Sequence, residues 1–169
     1  MELTIKPRYF DDHEFALERE PATPEEESSL NAFLALDHRH RLADTIHVYS
    51  YYKDFQSAVD GEDGLDAEMG IPDSPEAIWD HVRPRHLYFK TRPEYPDTIF
   101  IAIMAACDWE SEHGLWLVWE KGERLIKAGP YDSHVTNRTA YADEKMAGVV
   151  YASSDQRFIT RLTDTASVP

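Results

Sequence analysis

The sequence has a single cysteine, Cys107, which excludes an intrachain disulfide framework and any zinc site built from several thiolates. A reducing cytoplasm is the expected setting. Cations are scarce: 17 Lys and Arg stand against 32 Asp and Glu in 169 residues, a formal charge of −15. Binding to a phosphate backbone rests on clustered cations, so nucleic acid is not an expected ligand. Long apolar runs are missing too. The longest, Ile99 to Cys107, is about half the ~20 residues that a membrane helix needs, and the first residues lack the apolar stretch of a secretory signal. No G-x-G-x-x-G, G-x-x-x-x-G-K-[ST] or G-x-S-x-G occurs, so nucleotide cradles and a nucleophile elbow drop out, and no cofactor is expected.

What is present suffices for a core: 42% of residues are hydrophobic and 12% aromatic, and the length predicts one domain over residues 1–169. Weak alternation predicts a strand over Glu2–Phe10, pushed to a sheet edge by Pro7. Thr23-Pro24-Glu25-Glu26 supplies an N-cap, a proline at the first helical position and anions for the dipole. Leu30, Phe33 and Leu34, then Leu42, Ile46, Tyr49 and Tyr52, extend an apolar stripe over most of 24–58, with a bend near Asp37-His38. Asp73-Ser74-Pro75-Glu76 opens a short helix carrying Ile78, Trp79 and Val82, which Arg83-Pro84 ends.

The second half changes period. Strands are predicted at 85–90, 98–107, 115–120 and 123–128, the last two joined by a Glu120-Lys121-Gly122-Glu123 turn with a left-handed glycine. A helix near Ala142–Ala147, a strand near Val149–Tyr151 and a frayed tail from Thr163 complete the reading. The expected fold is α+β, an antiparallel β-meander packed against N-terminal helices. Leu115, Leu117 and Trp119 share one face of their strand and Trp116 and Val118 the other, so the sheet should be buried on both sides at its centre.

Four constellations invite chemistry. His40, Asp44 and His47 fall at i, i+4 and i+7, so on an unbroken helix they project from one face and offer three metal ligands; these residues or the Asp108–His113 loop are the basis for a metal-assisted hydrolase. No fourth ligand is evident, and histidines beside carboxylates are common surface features. Asp60–Glu68 resembles a calcium loop, but the glycine position holds Leu65 and the closing acid position Ile71, which favours a solvated loop. Cys107 and His113 suggest a thiol and its base across the Asp108–Gly114 connection, yet a cysteine ending an apolar strand is more often a small core residue. The paired carboxylates Glu110 and Glu112 have the chemistry for acid and base roles, with nothing else to outline a cleft. No tightly bound metal is expected.

Nine acids lie between Lys53 and Arg83 with no intervening Lys or Arg. Such a field suits a basic protein partner through faster encounter. The candidate partner surface is therefore Asp60, Glu62, Asp63, Asp66 and Glu68, together with Asp108, Glu110, Glu112 and His113.

Two stretches taken together carry a resemblance. Trp109-Glu110-Ser111-Glu112-His113-Gly114 followed by two strands ending at Gly129, and upstream the Thr23-Pro24-Glu25 helix with Tyr51-Tyr52 and then Ile71-Pro72-Asp73-Ser74-Pro75-Glu76-Ala77-Ile78-Trp79, resemble an uncharacterised bacterial domain family over residues 23–132. Residues 133–169 then form a C-terminal extension. The resemblance implies a small standalone protein with no assigned enzymatic activity, of the immunity type that accompanies bacterial toxins. It leads to the expectation of a cytoplasmic, non-catalytic protein that binds and neutralises a basic toxin, with Glu112-His113-Gly114 serving as a hairpin connection whose glycine takes positive φ.

Overall fold

The apolar runs of the second half pair into a sheet in the computed structural model, which describes residues 1–59, 65 and 69–169. Four long strands, β3 (Val82–Arg92), β4 (Tyr95–Cys107), β5 (Leu115–Glu120) and β6 (Arg124–Gly129), follow one another antiparallel. Two short strands, β1 (Thr4–Ile5) and β2 (Phe15–Leu17), extend the β3 side, so the order is β1-β2-β3-β4-β5-β6, with β2 parallel to β3. The period-two pattern splits β5 as expected. Leu115, Leu117 and Trp119 join the core beneath the helices, while Trp116 and Val118 join a second cluster with Phe100, Ala102, Ile126 and Val135. These five side chains, Leu115 to Trp119, are at most 1% exposed.

Thr23 caps helix α1 (Pro24–Ala35) by accepting the Glu26 N–H at 3.1 Å, an interaction generally worth about 1 kcal/mol. The expected bend is a full break. Leu36 and Asp37 are extended, and Asp37 starts α2 (His38–Ala58) by accepting the Arg39 N–H while His40 Nδ1 accepts the Asp37 N–H. The restart resets the helical phase. Leu42 and Ile46, placed on the buried stripe by extrapolation from α1, face outward at 43% exposure, and Ala43, His47, Val48, Tyr51 and Tyr52 are buried instead. The β5–β6 turn packs against α1 so closely that a Cβ on Gly122 would lie 1.9 Å from the Ser29 carbonyl oxygen, and Gly122 has φ +73°. Only glycine satisfies both demands.

Several boundaries depart from expectation for local reasons. The Glu2–Phe10 strand shrinks to Thr4–Ile5, because Pro7 precedes a 3-10 turn, Arg8–Phe10, that buries Tyr9 and Phe10. Strand β2, embedded among acids, gives no pattern long enough to detect. The Pro75 helix is a 3-10 helix ending at His81, and Val82 and Arg83-Pro84 belong to β3, whose pairing shifts register at Pro84. The Ala142–Ala147 helix reduces to a 3-10 turn at Glu144–Met146, preceded by a single helical turn at Asn137–Ala140. Strand β7 (Val149–Tyr151) pairs with β8 (Thr160–Arg161). The tail does not fray freely: Ala166 N–H donates to Ala43 O and Arg39 donates to Pro169 O, both on α2's side. Among the described residues, no helix is long and apolar enough to cross a membrane.

Candidate functional site

The connection between β4 and β5 is anchored by an aromatic. Trp109, 2% exposed, packs edge-to-face on Tyr51 and Tyr52 of α2, with ring centroids 5.5 and 6.1 Å away. Glu110 follows it inward and organises the turn. Its Oε1 accepts the Glu112 N–H at 2.8 Å, and its Oε2 accepts the His113 N–H at 2.8 Å and lies 3.2 Å from His113 Nδ1. Tyr51 donates its hydroxyl to Gly114 O at 3.0 Å. Gly114 has φ +66°, and a Cβ there would meet Ala105 O at 2.6 Å, so the glycine of the Glu-His-Gly run is sterically required.

At the other end of the turn, Asp108 bridges His81 Nδ1 at 2.9 Å and Arg83 Nη2 at 2.7 Å, and the Arg83 guanidinium in particular holds its carboxyl below the usual range. The Cys107 thiol donates to Glu110 O. Burial pushes the thiol up to about 12, which leaves negligible thiolate near neutrality. His113 is bonded to Glu110, not to Cys107, so the thiol–imidazole pair is not assembled. The reactive-looking string is occupied in holding its own loop together.

Asp108–His113 line an open groove of about 670 Å³ with Tyr51, Phe55, Leu65 and Pro130. Glu112 and His113 are exposed and Glu110 is buried. Ligating atoms of Glu110, Glu112 and His113 lie within 4.8 Å of one another, so these three have the separation to hold a cation. Both Glu110 oxygens already accept backbone N–H groups, so an ion would share them. Spacing alone did not single out this trio as a ligand set, because its proximity comes from the loop's turn and not from a helical repeat.

The metal face read from α2 is not assembled. His40 is engaged with Asp37, Asp44 Oδ2 accepts the Tyr9 hydroxyl at 2.9 Å, and His47 places Nδ1 on Thr160 Oγ1 and Nε2 on Thr165 Oγ1, each at 2.7 Å. Each side chain serves a different neighbour, because burial of the helix turns them toward separate elements. Burial raises the Asp44 carboxyl to about 7, against the opposing Tyr9 hydrogen bond. Burial likewise lowers His47 to about 4, opposed by Asp164. Asp60, Glu62, Asp63, Asp66 and Glu68 lie outside the described residues. Sequence reasoning gave no role in the site to Tyr51 and Trp109, which seat the loop, or to His81 and Arg83, which fix Asp108. The two aromatics read as ordinary core, and nothing local ties His81 or Arg83 to Asp108.

The family described as Domain of unknown function (DUF6985) matches over residues 4–135, from β1 to the segment just after β6. No curated protein and no solved structure matches the chain.

Proposed function

The chain belongs to the DUF6985 family, a domain of unknown function, and we propose that it is a non-catalytic binding protein of the immunity type, acting in the cytoplasm to bind and neutralise a basic bacterial toxin. One observation carries this reading: Cys107, Asp108 and Glu110 are spent on hydrogen bonds that hold the β4–β5 connection in place, while Glu112 leaves an exposed carboxylate at the rim of the groove in a molecule charged −15. Such a rim repels acidic molecules and steers cationic ones. The acids Asp60, Glu62, Asp63, Asp66 and Glu68 add to the net negative charge of the chain.

The test uses the product of the neighbouring gene, expressed with and without this chain. Rescue of growth, and an association rate that falls as salt rises, support the reading. No binding of that product, or a salt-independent rate, overturns it.

A second reading is a metal-assisted hydrolase, and it now rests on the proximity of Glu110, Glu112 and His113. Titration with zinc followed by calorimetry decides it: a stoichiometric site lost in Glu112→Gln supports it, and an absence of heat removes it.

A further inference from the structure

The chain beyond residue 135 lies outside the family match and packs around the β6 edge, where β7 touches both β6 and α2. Between this extension and the sheet is an open-mouthed cavity of about 140 Å³. Ile126, Met146, Val149 and Leu162 give it an apolar wall, and Arg124 and Arg138 stand in its lining with Glu120 as the single carboxylate. Two cations against one anion make that lining net positive, within a chain of net charge −15. With Glu144 beside Arg138 counted in, the two arginines are balanced by two carboxylates, so the mouth lacks the acid excess of the chain as a whole.

Asn137, 3% exposed, forms part of the wall. Its Nδ2 donates to Val149 O and Val150 O, both at 2.9 Å, which fixes the amide's orientation. The side-chain oxygen is left as the acceptor, and no donor among the described residues reaches it. Both arginines are only loosely engaged. Arg124 meets Glu120 at 3.3 Å with both side chains largely exposed, and Arg138 meets Glu144 at 3.6 Å with Glu144 85% exposed. Exposed pairs of this kind contribute little and yield readily to a better-placed carboxylate. Arg138 also rests on the Tyr95 ring, 5.1 Å from its centroid, which holds its guanidinium beside the mouth.

We propose that this cavity binds a small carboxylate built on an apolar ring and bearing a hydroxyl or amine donor. The ring lies on the Ile126–Val149 wall, the carboxylate meets Arg124 and Arg138, and the donor reaches the Asn137 oxygen. The size agrees, since a buried cavity of about 150 Å³ accepts a benzene ring. The site is separate from the acidic groove, so its failure leaves the partner reading untouched.

The test titrates the ¹⁵N-labelled full chain with 3-hydroxybenzoate and 4-hydroxybenzoate, with benzoate and phenol as partial ligands. Saturable shifts at the amides of Asn137, Arg138, Gly148 and Val149, with a Kd of about 1 mM or below, are expected for at least one hydroxybenzoate. Benzoate and phenol should each bind about tenfold more weakly, because each lacks one of the two polar contacts. The double variant Arg124→Gln/Arg138→Gln should bind the hydroxybenzoate about tenfold more weakly while phenol binding stays unchanged, a split that misfolding cannot produce. If the double variant does not fold, Arg124→Gln alone, at an exposed position, must still weaken the hydroxybenzoate by about threefold. The absence of saturable shifts at these amides up to about 10 mM overturns the proposal. So does carboxylate binding that is indifferent to the arginine variants.

Discussion

Glu26 on α1 and Asp44 on α2 are buried to the same degree, 6% and 7% exposed, yet they titrate in opposite directions. Glu26 receives both Arg19 Nη groups at 2.8 Å and the Ala22 N–H at 2.6 Å. Those bonds, Arg19's first, hold its carboxyl down at about 2. Asp44 receives the Tyr9 hydroxyl, and burial pushes it up to about 7. Burial sets the size of the problem and the donors decide its sign. The two acids thus fasten their helices differently, Glu26 by an ion pair to the segment before α1 and Asp44 by a hydrogen bond from Tyr9, with His47 one turn on held by Thr160 and Thr165.

The largest effect expected from this contrast is at Glu26. Glu26→Ala should cost about 3 kcal/mol at neutral pH, since it removes a charge-assisted fork and leaves the Ala22 N–H without its acceptor. Glu26→Gln, which keeps acceptor oxygen, should cost less. A carboxyl depressed in the folded state contributes stability that is present above its ordinary value of 4.5 and lost as pH falls towards 2. Urea titrations should therefore show wild type and Glu26→Ala converging across that window. A gap that stays constant would mean the Arg19 fork contributes nothing beyond packing.

The same contrast shows what the sequence could reveal. Thr23-Pro24-Glu25-Glu26 announces α1 because capping is a local matter, written in adjacent residues. The faces of β5 follow from strict alternation, and Gly122 from its turn. Asp44 and His47 were legible as a shared helix face but not as buried groups, since the residues that bury them, Tyr9, Thr160 and Thr165, are more than thirty positions away in either direction. The break at Leu36-Asp37 was visible as a bend, but the phase reset it causes depends on how α2 packs and not on its own pattern. Glu110 was read as surface acid, because nothing local says that Trp109 will pull the loop inward.

An intermediate effect separates Asp44 from His47, one helical turn apart. Asp44, raised from 3.8 to about 7, favours the folded state below pH 3.8, and that contribution is lost as pH rises through 7. His47, lowered from 6.5 to about 4, contributes stability above pH 6.5 that is lost as pH falls through 4. Between pH 4 and 6.5 the two slopes oppose, so the wild type should show little net change there. Asp44→Asn, which retains an acceptor for Tyr9, should gain about 1 to 2 kcal/mol at pH 8 and should uncover the acid-side loss due to His47. His47→Gln should show the converse, stability that declines steadily as pH rises through this range. Thermal melts across the window check both, and parallel profiles for the two variants would break the assignment.

The smallest effect tests whether the lone donor matters. Tyr9 is fully buried, and its ring packs edge-on against Phe10, Trp79 and Trp119, contacts that phenylalanine preserves. Tyr9→Phe therefore subtracts only the hydroxyl, at a cost of about 1 kcal/mol at pH 5, where Asp44 is protonated and the lost bond is between neutral groups. The titration should respond more clearly than the stability. The Tyr9 hydrogen bond lowers the Asp44 carboxyl against burial, so its removal should move the Asp44 midpoint upward, readable from carboxyl carbon shifts. If the midpoint stays in place, the hydroxyl does not set the Asp44 carboxyl. The difference from Glu26 would then rest on the presence of a cation alone and not on the number of donors.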